Sequence, residues 1–484
     1  MAQSLNAASA SPTAPVSTTS YGADGNERYG ERPDGARPLS ISARLGRLQF
    51  HHSGKFRVLQ LADIQDGPKV SADTIRLIAA ALDAARPDLV VFSGNQIAGY
   101  DTAYQETFRK RRWSGGWNHL NRQQEERLAA QLRRTHDLVR GAIGQFLKPL
   151  IDRGVPWAVT YGNHDFQCGL DNMELDAIYR EFPGCLNPES TSANYGHVRT
   201  NPVSGLPHEE IYPCEPGTFA LPVVDDEQSR TVLGLTLVDS GDYSHLGGYG
   251  SPSQRALDFM ADVPALLGAR CMVFQHIPVP QFYRLLKDVP ANTARAVEGY
   301  RAFSGRHFII DETATLPGSY LGEGVSCPDR DCGEFDILCQ DHGQSRGKGR
   351  SEDRAEDRGD GAGRAPAYFA LSAGHDHRNR FAGKVDGVML IATPTCGFGS
   401  YGPAADQRAV RLFEFDIRHP YEPRTQLLEF GVLCGKPSSH KAYTYALNDT
   451  APSPGETIDL LDKPGLLGRI VQRLRGRRDH GRSL

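Results

Sequence analysis

The sequence has no run of about 18 apolar residues, so nothing in it reads as a membrane-spanning helix. The stretch from Met1 to about Ser40 lacks a basic start followed by an apolar core, which argues against a secretory signal. Charge of neither sign dominates. The formal net charge is -4 over 484 residues, and no global field favours nucleic acid. The nine cysteines show no short secreted framework and read as reduced thiols. Cys327, Cys332, Cys339 and His342 fit no common zinc spacing and read as loop residues. No internal repeat is present. These absences lead to the expectation of a soluble, cytoplasmic protein that does not bind nucleic acid.

The chain is long enough to bury a large core. Residues 1–40 are rich in Ala, Ser, Thr, Pro and Gly and read as a disordered tail. Residues 343–366 are Gly, Arg, Asp, Glu and Ser with almost nothing apolar, and read as a disordered insertion. The expected division is a tail over 1–40, one domain over 41–435 and a C-terminal extension over 436–484.

Within the domain, apolar runs recur and each ends in a polar turn. Phe56–Ala62 predicts a strand ending in Asp63-Ile64-Gln65-Asp66. A helical face of Ile75, Leu77, Ile78, Ala81 and Leu82 follows. Asp88–Phe92 predicts a second strand, ending in Gly94-Asn95-Gln96. This strand–helix–strand unit reads as a parallel crossover. An exposed loop from residue 100 leads to a helix over about Gln123–Leu150. Trp157–Thr160 then predicts a strand running into Tyr161-Gly162-Asn163-His164-Asp165. Residues 184–217 read as a long loop. Thr231–Val238, Cys271–Gln275, Tyr368–Ala373, Val388–Ala392 and Val410–Phe415 predict later strands.

Asp63, Asn95, Asn163-His164, His276 and His375/His377 thus each sit immediately after a strand-like run. In an open α/β sheet the carboxyl ends of strands are where ligands bind. A single histidine there is commonly structural. Three histidine-bearing blocks at equivalent strand ends, with Asp and Asn at others, form an oxygen and nitrogen donor set suited to Mn, Fe or Zn. Two such ions about 3.5–4 Å apart make a clamp for in-line displacement at phosphorus.

In this order the blocks resemble those of the calcineurin-like metallophosphoesterase superfamily. Its pattern runs Asp-x-His, Gly-Asp, Gly-Asn-His-Asp/Glu, a single His, then Gly-His-x-His. The closer likeness is to the purple-acid-phosphatase-like subgroup of microbial and fungal phosphatases. Asp239-Ser240-Gly241-Asp242-Tyr243-Ser244, His276-Ile277-Pro278-Val279-Pro280 and Gly374-His375-Asp376-His377-Arg378-Asn379 carry it. The resemblance covers roughly residues 55–417. It implies an α/β fold of four layers, a central β-sandwich flanked by helices. It also implies two divalent metal ions: Asp63 and His377 would hold one, and Asn163, His276 and His375 the other. His164 would donate to a phosphate oxygen or the leaving group, with Asp165 orienting it. A hydroxide bridging the ions would attack a phosphomonoester, borne by a small molecule or a phosphoprotein.

Two positions depart from the pattern. Gln65 stands where the family has His; its amide oxygen can still ligate. Asn95 stands where the family has the Asp that bridges both ions, and an amide NH2 is poorly suited to face a cation. Asp63 is then the one anionic ligand assigned. The alternative reading makes Asn95 a turn residue and lets another acid, Asp66, supply the missing charge. These departures also admit a degenerate member that binds a phosphorylated ligand with little or no turnover.

Weaker features surround this set. Arg109–Arg112, Trp113 and Trp117 read as a solvated face, a substrate groove being the alternative. Gly397–Gly402 reads as a loop beside the site, and Arg378 and Arg380 as surface or phosphate-contacting residues. Near the C-terminus Leu466, Leu467, Ile470, Val471 and Leu474 define an apolar helical face among Arg469, Arg473, Arg475, Arg477 and Arg478. Such a segment reads as docked on the domain or disordered, weak, salt-sensitive contact with an anionic membrane being the alternative.

Overall fold

A computed structural model describes residues 35–113, 120–189, 204–341 and 365–438, with the backbone of short strands at 20–21, 27–28 and 198–199. His342, Trp117, most of the 343–366 insertion and the C-terminal basic segment lie outside the described residues.

The first crossover forms as its pattern predicts. Strand β1 is Lys55–Leu61, helix α1 Ala72–Ala85 and strand β2 Leu89–Ser93. Ser71 caps α1 by accepting the Asp73 N–H, and the helix buries Leu77, Ile78, Ala81 and Leu82. Helix α2, Arg122–Ile151, is 30 residues long, and Asn121 and Gln124 close a capping box at its start. Strand β3 is Trp157–Thr160, and helix α3 is Asn172–Tyr179.

The rest of the chain supplies β4 (Val198–Arg199), β5 (Glu210–Glu215), β6 (Thr218–Val224), β7 (Thr231–Val238), α4 (Gln254–Leu267) and β8 (Cys271–Gln275). After these come β9 (Tyr368–Ala373), β10 (Ala382–Val385), β11 (Val388–Ala392), β12 (Ala409–Asp416) and β13 (Arg424–Glu429). The loop expected over 184–217 is therefore too long: its last residues pair antiparallel with β6 as β5. Pro213 within that stretch and its irregular register hide the alternation a strand would show.

Two of the sheets make the sandwich, a five-stranded one in the order β13-β12-β1-β2-β3 and an eight-stranded one in the order β10-β11-β9-β8-β7-β6-β5-β4. In the first, β1, β2 and β3 run parallel; in the second, β7, β8, β9 and β11 do. The pleat of β1 decides the layering. Phe56 and Val58 face the second sheet, packing with Leu235, Phe274 and Phe413. Leu59 and Leu61 face the other way, against Leu77 of α1 and Phe146 of α2. Leu257 and Val263 of α4 cover the far side of the eight-stranded sheet. The order is helix, sheet, sheet, helix, as the resemblance implies. Burial of each such side chain contributes about 1.5–3 kcal/mol.

At one end of the seam the apolar filling gives way to a polar bridge. Gln60 donates from Nε2 to Ser93 Oγ at 2.8 Å and accepts from Ser372 and Thr393 hydroxyls at 2.6 and 3.0 Å. Directly beyond this bridge lie the carboxyl ends of the parallel strands of both sheets. No helix among the described residues is long and apolar enough to cross a membrane.

Candidate metal centre

Four of the seven predicted ligands leave their strands through a sharp turn. Asp63, Gln65, Asn95 and His375 have φ of 53°, 45°, 54° and 71°, all in the left-handed region. Such backbone costs about 1–3 kcal/mol per residue and collects at functional sites. Glycine makes the turns close enough. A Cβ at Gly162 would lie 2.3 Å from Asn95 Oδ1 and 2.7 Å from His276 Cδ2.

The structure brings Asp63, Asn95, Asn163, His276, His375 and His377 together, all buried. His276 and His377 are each held through Nδ1 by a backbone carbonyl, Ser93 O at 3.1 Å and Tyr401 O at 2.6 Å. Donation to Ser93 O leaves Nε2 of His276 as a bare lone pair facing inward. Nε2 of His377 meets Asp63 Oδ1 at 3.3 Å. The His276 lone pair meets Asn163 Oδ1 and His375 Nδ1, both at 3.1 Å. Asn163 is oriented from behind, its Nδ2 donating to Tyr243 OH at 2.8 Å. Nε2 of His375 is buried without a hydrogen-bond partner, and its ring meets Tyr249 edge to face at 4.3 Å.

The electrostatics follow from this crowding. Burial would raise the Asp63 carboxyl, but the facing imidazoles of His276, His377 and His375 outweigh it and hold the group well below the usual carboxylate range. Burial keeps His276 and His375 neutral by lowering both. Neutral imidazoles beside an ionised carboxylate are the ligating forms.

The two departures resolve differently from the rest. Gln65 is buried at the site, yet its Oε1 accepts the Ser400 hydroxyl at 2.7 Å. Asn95 accepts the His164 N–H at Oδ1, 2.9 Å away, which turns its NH2 inward. That NH2 donates to Asp63 Oδ1 and Asn163 Oδ1, each at 3.2 Å. Asp66 does not replace the missing acid. Its Oδ2 accepts the Ser71 N–H and the Thr74 hydroxyl, both at 3.0 Å, anchoring the start of α1.

Asp165 does not orient His164. The chain enters a short 3-10 helix at Asp165, and the carboxylate turns back onto backbone. It accepts the N–H groups of Asn95, Gly162 and Ile97 at 2.7, 2.8 and 2.9 Å. Burial pushes it up to about 7 against those donors. The residue that does hold the ring is Gln167, whose Oε1 accepts from His164 Nδ1 at 2.7 Å. Its own Nε2 donates to Lys110 O at 3.2 Å, which fixes the amide. Sequence reasoning passed over Gln167; the only signal was its spacing of three residues within a tight turn. Burial lowers His164 to about 4, and Tyr100 packs edge-on against it at 4.9 Å.

The segment read as a solvated face folds onto the site instead. Arg111 lies over the Tyr243 ring at 3.6 Å, and Arg112 pairs with Asp242. Trp113 stacks on His245 at 3.8 Å. With Gly241, Gly250 and Ser251, Arg112, Trp113, Asp242, Tyr243 and His245 line a cavity of about 430 Å³. That size suits a small ligand, and Tyr243 is shared with the ligand cluster. Arg378 reaches Gly402 O, and Arg380 pairs with Glu429, so both serve structure. The Gly397–Gly402 loop does lie beside the site, held by the buried Arg408 through Gly397 O and Ser400 O. All nine cysteines are free thiols.

Among the described residues no three His, Cys, Asp or Glu side chains form a group arranged to hold an ion. The candidate centre therefore depends on the Asn163 amide completing the donors of two histidines.

The family described as "Calcineurin-like phosphoesterase" matches residues 56–230. The chain is 24% identical over 324 residues to phosphatase DCR2 of Saccharomyces cerevisiae, covering 61% of this chain and 45% of that protein. It thus spans less than half of that relative's length. It is 22% identical over 416 residues to probable inactive purple acid phosphatase 29 of Arabidopsis thaliana, covering 78% of this chain and 82% of that one. Among solved structures, a dimetal phosphatase from Danio rerio aligns at 11% identity with a TM-score of 0.35, covering 78% of this chain and 99% of that one.

Proposed function

We propose, from the match of residues 56–230 to the calcineurin-like phosphoesterase family and from the site geometry, that the chain is a metal-dependent phosphoesterase acting on a phosphate monoester. The observation that carries this reading is the inward convergence of Asn163 Oδ1, His276 Nε2 and His375 Nδ1. Nε2 of His276, its proton committed through Nδ1 to Ser93 O, lies 3.1 Å from both Asn163 Oδ1 and His375 Nδ1, a donor set that a cation satisfies. These three residues would hold a divalent ion of the Mn, Fe or Zn class, with Asp63 and His377 as the neighbouring donors. When bound, the ion supplies Lewis-acid polarisation of a phosphoryl oxygen and charge neutralisation.

The chain's own residues do the rest. Gln167 pins Nδ1 of His164, so Nε2 is the nitrogen left to serve the substrate. A phosphate dianion beside Nε2 favours its protonated form, and the proton is then placed to pass to the leaving oxygen. Tyr243 keeps the Asn163 oxygen inward. The substrate is a phosphorylated small molecule or phosphoprotein whose leaving group enters the cavity beside Trp113.

A second reading has a specific observation behind it. The inward NH2 of Asn95 favours a site that binds a phosphorylated ligand with little turnover. One experiment separates the two. Purified protein is assayed for metal content and for hydrolysis of an aryl phosphate with Mn, Zn or Fe supplied. Bound metal with hydrolysis, lost together in His276→Ala, supports the enzyme. Bound metal and phosphate without hydrolysis supports the binder. Absence of metal under every condition removes the metal-dependent enzyme and favours the binder.

A further inference from the structure

The donor set described above is not symmetrical, and its asymmetry sets a metal count. We propose that this site holds one divalent ion, at Asn163, His276 and His375, and that the Asn95 amide occupies the place of a second. The inference rests on the reading that the site binds metal at all.

Three observations carry it. The first is the direction of the Asn95 side chain. Its Oδ1 is taken by the His164 N–H, so both NH2 hydrogens point at Asp63 Oδ1 and Asn163 Oδ1. Rotating the amide by half a turn would set an oxygen against two oxygens and an NH2 against an N–H, three unfavourable contacts in place of three hydrogen bonds. The partial positive charge of that NH2 therefore stands between the two halves of the site. An ion bridged there would meet hydrogens instead of lone pairs.

The second is the state of the other half. Of Asp63, Gln65 and His377, the glutamine oxygen is engaged by Ser400. Asp63 Oδ1 receives the Asn95 NH2 and faces His377, and Asp63 Oδ2 receives the His375 N–H at 2.9 Å. Its lone pairs are already largely used. The Asn163, His276 and His375 half differs, because His276 and His375 offer each other only lone pairs or a single shared proton.

The third is charge. Asp63 is the one carboxylate among the seven candidate ligands, the others being neutral amides and imidazoles. Two dications against one carboxylate in a buried site leave a large uncompensated charge, whereas one dication leaves a single positive charge for a phosphate to meet.

The test is reconstitution of the full chain with Mn(II), followed by elemental analysis and low-temperature electron paramagnetic resonance. One ion per chain with the spectrum of an isolated Mn(II) is expected. Two ions with exchange-coupled spectra overturns the inference and leaves the metal-dependent reading intact; no ion at saturating Mn(II) overturns both. Position is tested separately, with thermal melts confirming that each variant is folded. His276→Ala should lose the ion and His377→Ala should keep it; the reverse pattern overturns the placement. Asn95→Asp should take up a second ion and show coupling. A count that stays at one in that variant means Asn95 is not what excludes it.

Discussion

Nδ1 of His164 lies 2.7 Å from Oε1 of Gln167, and the carboxylate next to it in sequence, Asp165, contacts backbone instead. Positioning the ring and stabilising the turn are therefore separate tasks given to separate residues. Gln167→Leu should lower turnover by about 10- to 100-fold with metal content unchanged, while His164→Ala should cost about 10²–10⁴-fold. Asp165→Asn should act on the melting temperature first. Equal kinetic damage from Gln167→Leu and Asp165→Asn, with both folds intact, would contradict this division.

Tyr243 acts on the centre through Asn163. Tyr243→Phe removes the nearer of the two partners of the Asn163 NH2, leaving His164 Nε2 at 3.4 Å, and loosens the amide. Metal affinity should fall by about 10- to 100-fold, measured by competition with a chelating dye. Unchanged affinity would mean that Asn163 is oriented by something other than Tyr243.

Trp113 is 43% exposed and walls the cavity beside the centre. Trp113→Ala should raise KM for an aryl phosphate by about 2- to 10-fold, as loss of one aromatic contact does. Metal content and kcat should hold. A variant with wild-type KM for aryl and alkyl phosphates alike places the leaving group elsewhere.

Glu209 is remote from the centre and gives a pH dependence of stability. It is buried, accepts the Leu48 N–H at 2.6 Å, and burial pushes its carboxyl up to about 8. The unfolded chain releases this proton near the ordinary value of 4.5. Between those values folding takes up a proton, so stability falls as pH rises and the slope ends near 8. Glu209→Gln cannot ionise. Relative to wild type it should gain on the order of 1–3 kcal/mol from pH 5 to pH 8, read from urea midpoints. A constant difference across that range would show the carboxyl already ionised in the folded protein.

The grouping of the candidate ligands was legible in sequence because each follows an apolar run, and parallel strands deliver their ends to one place. Asp63, Asn95, Asn163, His276, His375 and His377 do lie together. Gln167 was not legible. Which of two neighbours reaches a ring depends on the 3-10 turn after His164, and no period in the sequence encodes it. The Arg109–Trp113 segment was misread for a related reason. Its charges suggested solvent, but Asp242 and the Tyr243 ring sit more than a hundred residues away and supply the partners that draw it inward. The strand β5 was missed because Pro213 interrupts its alternation. Asp66 was weighed as a replacement acid, and only the fold shows its oxygens spent on the start of α1.

The candidate ligands come from both sheets of the sandwich. Asn163 leaves β3 of the five-stranded sheet, and His276 and His375 leave β8 and β9 of the eight-stranded one. An ion shared by the three would act as a rivet through two plates that also meet by side-chain packing, by the Gln60 bridge and by hydrogen bonds such as His276 Nδ1 to Ser93 O and His375 N–H to Asp63 Oδ2. Removing it should loosen the joint before it unfolds either plate. Binding to the folded chain alone adds about 2.7 kcal/mol at a hundredfold excess over Kd. A chelator should therefore lower the melting temperature and raise amide exchange first at the carboxyl ends of β3, β8 and β9, with α1 and α4 protected as before. Uniform loss of protection across both sheets would mean that the two plates part and unfold in a single step.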